Sequence, residues 1–257
     1  MKNTIYIQSS KNGKNIFSYT CENNTMRKTI EEAVKQGISL KNAYLRHCDL
    51  SNLVLNNVNL SHADLSFCNL QNIKLTNVDL QRSTLLHSDL SNSMLDNVNL
   101  SYAILANTIC SMTTFERVNF YYSNCYYASM ADSKFIDVKG INDQCPKEGS
   151  FIGWKKCFDR NNKTFCVVKL EIPADARRCS GTTNKCRCSK AKVLEIQNLD
   201  GTIADTTVVC SSFYSSNIVH YKINEIIYPN WFDDYFWNEC SNGIHFFMNR
   251  DEAINYF

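Results

Sequence analysis

From Leu40 to Phe135 every fifth residue is a core-type side chain, with no slip in the register. The series runs Leu40, Leu45, Leu50 and onward through Leu105, then Cys110, Phe115, Phe120, Cys125, Met130 and Phe135. Two places before each stands a second, mostly small residue, for example Ala43, Cys48, Ala63, Cys68, Ser83, Ser88 and Ala103. On an α-helix a step of five would rotate successive leucines by about 140°, and on a strand they would alternate between faces. Neither gives one core, so the chain must bend once per five residues, which is a solenoid pattern. Valine or isoleucine recurs at Ile38, Val58, Val78, Val98, Val118 and Val138, a spacing of twenty that makes four bends one coil. The expectation is a square β-helix of about five coils, roughly 24 Å tall at about 4.8 Å per coil. Asn52, Asn72 and Asn92, and Asn57, Asn77 and Asn97, form two corner columns suited to side-chain ladders and tight bends.

Ala63-Asp64-Leu65, Cys68-Asn69-Leu70, Val78-Asp79-Leu80, Ser88-Asp89-Leu90 and Val98-Asn99-Leu100 share one motif: small residue, Asp or Asn, Leu, then two variable positions. In this the stretch resembles the pentapeptide-repeat family. The resemblance implies a right-handed quadrilateral β-helix, a scaffold that leaves function open. Some members of that family imitate DNA, which requires a strongly negative rod. Here residues 38–139 carry 7 basic and 8 acidic side chains, which speaks against DNA mimicry.

Residues 1–37 carry 6 basic and 3 acidic side chains, and 140–257 carry 14 of each, so the chain as a whole is nearly balanced. Charge therefore gives no argument for nucleic acid or membrane partners. No apolar run approaches a membrane span, and the N-terminus lacks the order of a signal peptide. The 13 cysteines are an odd number, and Cys48, Cys68, Cys110 and Cys125 fall at inward repeat positions. They read as reduced structural thiols in a reducing compartment.

Residues 1–37 read as a β-hairpin turning through Lys11-Asn12-Gly13-Lys14 and a helix capped by Asn24-Thr25 and stopped by Gly37. This is a lid for the open end of a β-helix occupying 38–139. Residues 140–149 read as a linker, and 150–257 as an α+β domain. Expected strands are 151–157, 164–172, 192–196, 218–223, 225–228 and 244–248, followed by a helix from Arg250 to Phe257. The strings Gly149-Ser150-Phe151-Ile152-Gly153-Trp154, Ala191-Lys192-Val193-Leu194-Glu195-Ile196, Asn238-Glu239-Cys240 and Gly243-Ile244-His245-Phe246-Phe247 resemble an uncharacterised domain that follows pentapeptide repeats in phage and large-DNA-virus proteins. That resemblance implies a viral origin and transfers no activity.

Three groups of residues are candidates for function. Tyr121, Tyr122, Tyr126 and Tyr127 point outward from the last coil, either as a dock for the following domain or as a protein-recognition surface. Arg177, Arg178, Lys185, Arg187, Lys190 and Lys192 form a run without acids around Ser180-Gly181-Thr182-Thr183, where arginines and spare backbone donors would suit a compact anion. Cys186, Cys188, Cys240 and His245 are weak metal candidates, since one residue between thiols is tighter than zinc pairs use. The chain has no phosphate loop, His-Glu-x-x-His or Gly-x-Ser-x-Gly, which leans away from an enzyme and implies no cofactor. The expected function is a non-enzymatic interaction scaffold, viral, with a host or viral protein as partner. The alternatives are a small-anion or nucleotide-binding module in the C-terminal domain and a structural virion component.

Overall fold

The computed structural model describes residues 1–210 and 219–256. It divides into two compact units, Met1–Ile141 and Asn142–Phe257. The first opens with β1 (Lys2–Ser9) and β2 (Asn15–Glu22), a hairpin, followed by α1 (Met26–Lys35). Thr25 caps α1 by accepting from the Lys28 amide at 3.2 Å, and the helix buries Thr29, Ile30 and Ala33. The coils begin with β3 (Ala43–Tyr44), which pairs antiparallel with β1. The hairpin thus satisfies the backbone edge that a first coil leaves open.

Above it stack β4 (Val54–Asn56), β5 (Lys74–Thr76), β6 (Met94–Asp96), β7 (Thr114–Glu116) and β8 (Lys134–Ile136), parallel and offset by twenty residues. The other three faces carry bridges in the same register, such as Tyr44 to Asp64 to Thr84 to Ile104 to Asn124. Each face has five rungs, so four full turns separate the first from the last. The every-fifth leucines from Leu40 to Leu105 are at most 3% exposed and fill the interior.

Every fifth residue from Asn42 to Asp137 has φ between 50° and 60°. At three of the four corners the residue after it donates back to the leucine carbonyl, as Ala43 N to Leu40 O and Cys68 N to Leu65 O do. These are type II-like turns, which need a left-handed third residue. Asparagine tolerates that conformation best, and the Asn52 and Asn57 columns occupy it. The second column also forms a ladder, Asn97 to Asn77 at 2.7 Å and Asn77 to Asn57 at 3.0 Å. The motif's Asp or Asn closes the turn from outside: Asp49, Asp64, Asp89 and Asn99 each accept from the amide two residues on.

The small inward position has a second function. Ser88, Ser93, Thr108 and Thr113 donate their buried hydroxyls to the carbonyls of Leu65, Leu70, Leu85 and Leu90 in the coil below, at 2.6 to 3.0 Å. Where leucine gives way to phenylalanine, Phe115 and Phe135 stack at 5.3 Å and 11°, and Phe115 meets Phe120 edge-on. Gly140 follows Phe135 in the register at φ +76°, where any Cβ would collide with the Tyr121 backbone.

The second unit is largely β-sheet. Its strands are β9 (Phe151–Asp159), β10 (Thr164–Ile172), β11 (Arg178–Ser180), β12 (Cys186–Cys188), β13 (Ala191–Asn198), β14 (Val208–Cys210), β15 (His220–Lys222), β16 (Ile226–Ile227) and β17 (Ile244–Phe246), followed by α2 (Arg250–Asn255). A six-stranded antiparallel sheet has the order β15-β14-β9-β10-β13-β16, and a small one the order β11-β12-β17. Val168, Leu170, Ile172, Cys186, Cys188, Ile244 and Phe246 share one core, while Val167 and Phe247 pack with Ala253 of α2. All the expected strands are present within a few residues, although Ile218 and Phe257, which bound two of the expected elements, lie outside the described residues. The pattern did not reveal β11, β12 and β14, each only three residues long. The 140–149 segment read as linker is tied to the second unit from Asn142 on: Asn142 accepts from Ser180 N, and Arg178 donates to Gly149 O.

The interior hydroxyls and the leucines should differ in what they contribute. Leu85→Ala is expected to destabilise the rod by about 3 kcal/mol through a void that rigid coils cannot close. Ser88→Ala is expected to cost about 1 kcal/mol by removing its donation to Leu65 O and its acceptance from the Cys68 amide at 3.3 Å. Urea unfolding of the two variants checks this, and equal losses would contradict the account.

Candidate functional site

The rod's outward residues sort into columns, since positions twenty apart stack. Between the corner bearing Asn42, His62, Arg82, Tyr102 and Tyr122 and the corner bearing His47, Phe67, His87, Asn107 and Tyr127 lies the face of Tyr44, Asp64, Thr84, Ile104 and Asn124. The rod's exposed tyrosines and phenylalanines all fall on this face and its two corners. They are ordered: Tyr102 and Tyr122 stack at 5.0 Å and 13°, with the Arg82 guanidinium 5.2 Å over Tyr102. His47, Phe67 and His87 form a continuous stack at 4.9 and 5.1 Å, with Arg46 over Phe67. Tyr121, Tyr122, Tyr126 and Tyr127 are exposed, Tyr127 most at 64%, and Tyr126 and Tyr127 lie 4.1 Å apart. The sequence singled out only these four. The period-twenty register would have added Tyr102 and Phe67, which sit in less aromatic coils. The adjoining face, by contrast, reads Asn59, Asp79, Asn99, Asn119 and Lys139.

In the second unit the basic run disperses. Arg177 is exposed, paired with Asp234 at 3.5 Å and stacked over Phe232. Arg178 spends its guanidinium on the carbonyls of Gly149, Pro173, Ala174 and Ala176, at 2.7 to 3.0 Å, and acts as an internal clamp. Lys190 pairs with Asp175, and Lys192 is half-buried on β13. These four residues do not converge on one anion site. Lys185 and Arg187 behave differently, because both are buried.

Arg187 sits mid-strand on β12, opposite Cys179 of β11 on one side and His245 of β17 on the other. Side chains of directly paired residues project to the same face, so thiol, guanidinium and imidazole form one row. Residues 228–243 form a strap without strand or helix, and its Tyr235 carbonyl accepts from Arg187 Nη2 at 3.0 Å. Arg187 is 2% exposed, and its Nη1 has no hydrogen-bond partner among the described residues. His245 Nε2 meets Ser241 O at 2.7 Å, and burial together with the Lys185 and Lys155 charges pushes its pKa down to about 3. Burial likewise pushes the Cys179 thiol up, which the adjacent Arg187 only partly offsets.

The hairpin loop between β11 and β12 holds a carboxylate, and it is the chain's own. The amides of Thr182 and Thr183 and the Thr182 hydroxyl all donate to Glu239 Oε1, and the Thr183 hydroxyl donates to Oε2 at 2.7 Å. A Cβ at Gly181 would overlap that carboxylate, so glycine leaves room for it. Lys185 continues the loop, its Nζ 3.0 Å from Tyr256 Oη and 3.6 Å from the Cys240 sulfur. The sequence marked the loop's donors as suited to an anion. It gave no sign that Glu239, 57 residues on, fills them.

The metal candidates do not assemble. Cys186 and Cys188 turn into the core, away from the face that carries His245, and Cys240 is exposed on the strap. Cys186 is pushed up by its hydrogen bond to Cys145 and by burial, while Cys145 is held down by that same bond. Among the described residues no group of three His, Cys, Asp or Glu side chains is placed to hold a metal ion.

Residues 38–77 and 73–109 match the family described as pentapeptide repeats (8 copies), and residues 141–253 match a family of unknown function (DUF5758). The rod is a β-helix whose residues 38–109 match the pentapeptide-repeat model. Its coils continue past the matched residues, through the stretch where phenylalanine and cysteine replace leucine. No curated protein matches the chain. Among solved structures, a pentapeptide repeat protein from the thylakoid lumen of Arabidopsis thaliana is similar at 19% identity, over 37% of this chain and 59% of that one, with a TM-score of 0.29. One from the cyanobacterium Cyanothece 51142 is 22% identical over 34% and 63%, at 0.20, and one from Nostoc Pcc 7120 is 21% identical over 43% and 95%, at 0.25. The chain spans less than two thirds of the first two structures.

The depressed His245 pKa makes a signed prediction. Unfolded, the imidazole titrates near 6.5; folded, it stays neutral until about pH 3. Between those values the unfolded chain binds the extra proton, so this group's contribution is fully present above pH 6.5 and is lost as pH falls towards 3. Denaturant unfolding as a function of pH should give a shallower acid decline for His245→Gln than for the unaltered chain; identical slopes would contradict the assignment.

Proposed function

We propose that this chain is a non-enzymatic interaction scaffold whose aromatic side of the rod is the contact surface for a protein partner. The observation that carries the reading is the confinement of the rod's exposed aromatic side chains to one face and its two flanking corners, where they are already stacked. Tyrosine and phenylalanine give large contact area for few rotatable bonds, and stacking fixes their rotamers before a partner arrives. Arg46 and Arg82 above those rings add directional donors within the patch. Pentapeptide-repeat proteins are generally structural or interaction proteins without catalytic activity, which agrees with this use of the rod. The near-neutral rod favours a protein partner over imitation of a nucleic acid.

A viral origin and a host or viral partner belong to the same proposal, supported by the resemblance of residues 149–257 to domains of phage and large-DNA-virus proteins. Thirteen free thiols, ten of them buried, support action in a reducing compartment such as a host cytoplasm.

The test is co-purification of partners with the tagged chain from cells that make it. Replacing Tyr102, Tyr122, Tyr126 and Tyr127 together by serine is expected to lower recovery of the specific partner about tenfold with the rod's melting temperature preserved. The control Val54→Ser/Met94→Ser, on another face, is expected to retain it. Equal recovery from both variants would remove the aromatic face from the account.

A further inference from the structure

The strap and the β11–β12 loop together suggest a ligand site. Three groups of donors lie beneath strap residues 235–240: the Thr182 and Thr183 amides and hydroxyls under Glu239, the Lys185 ammonium beside Cys240, and the Arg187 guanidinium under the Tyr235 carbonyl. We propose that this loop is a receptor for a phosphoryl group, and that Glu239 is the built-in group that occupies it when no ligand is bound.

Two independent observations point the same way. The first is the nest itself: consecutive amides and two hydroxyls converge on one anionic group, with a glycine that leaves room for it. Consecutive backbone N–H groups in a turn make an anion-binding concavity whatever anion fills it. The second is Arg187. A guanidinium 2% exposed with one nitrogen unpartnered among the described residues is costly to bury, and a chain retains it where an anion can be received.

The donor count selects the ligand class. Glu239 offers two oxygens, and the four nest donors already use them. Among the described residues, Lys185 meets a thiol sulfur, a phenol oxygen and an aromatic ring, and Arg187 Nη1 has no acceptor. A phosphoryl group brings three terminal oxygens and up to two negative charges, enough to engage the nest and the cations that a carboxylate leaves unused. Entry requires Glu239 to leave and the strap to move. Among the described residues the strap is otherwise held by the Tyr235 carbonyl on Arg187, the Ser241 carbonyl on His245, the Asp233 carbonyl accepting from the Cys179 thiol at 3.8 Å, Arg177 against Asp234 and Phe232, and the buried Trp237. The exposed Trp231 and Tyr235 side chains would move with it.

The experiment is calorimetric titration of the full chain with inorganic phosphate and with adenosine monophosphate, near neutral pH and at constant ionic strength. Removing the internal competitor with Glu239→Ala or Glu239→Gln should tighten phosphate binding at least about tenfold over the unaltered chain. Adding Lys185→Met or Thr183→Val should abolish the gain. Tighter binding of phosphate than of the nucleotide assigns the site to the free anion, and the reverse assigns it to a phosphorylated small molecule. Folded Glu239 variants that bind both ligands no better than the unaltered chain would overturn the proposal. Should neither variant fold, amide hydrogen exchange of residues 231–242 in the unaltered chain decides. Faster exchange in phosphate than in chloride supports displacement of the strap, and unchanged exchange overturns it.

Discussion

The coil-to-coil hydrogen-bond ladder sets the terms for the rest of the rod. An amide in one coil reaches a carbonyl of the next, as Leu45 N to Asp64 O and Asp64 N to Ala43 O do at 2.8 Å, only if every coil has the same number of residues. That demand fixes the period at twenty, and four bends of five residues meet it when one residue per bend is left-handed. The left-handed conformation costs about 1 kcal/mol or more for a residue other than glycine, asparagine or aspartate. Yet Arg82, Phe67 and Tyr122 adopt it, each over-determined by the ladder above and below. Stacked columns follow from the same geometry. Any side chain at a corner finds its counterpart about 5 Å away, so asparagines make amide ladders and aromatic rings make stacks.

The same constraint explains what could be read from the chain. The leucine period, the corner asparagines, the hairpin and the helix capped by Thr25 all follow from local rules that the sequence expresses directly. The aromatic face was only partly legible. Tyr121 to Tyr127 are dense enough to notice, whereas Phe67 and Tyr102 join them only through stacking across twenty residues. In the second unit, β11 and β12 were missed because three-residue strands carry too little alternation to register. Cys186-Arg187-Cys188 reads more readily as a ligand pair than as two core residues flanking a buried cation.

The basic run shows why residue type alone misleads about sites. Arg178 and Lys190 are charges satisfied within the fold, one by carbonyls and one by Asp175. Arg187 and Lys185 lie inside the unit, where a charge is not simply solvated. The anion that the loop holds comes from a distant strap, a pairing set by tertiary structure and invisible to spacing. In the structure the loop's donors are met by the Glu239 carboxylate, and of the basic run Lys185 and Arg187 are the buried members.

The partner proposed here would sit on the aromatic side of the rod. The most direct measurement places a photo-crosslinking amino acid singly at Tyr102, Tyr126, Asn119 or Val54 in cells that make the chain, and identifies what each position captures. The account predicts one common protein captured at Tyr102 and Tyr126 and absent at Asn119 and Val54. Capture of that protein equally from all four positions, or only from Asn119 and Val54, would contradict it.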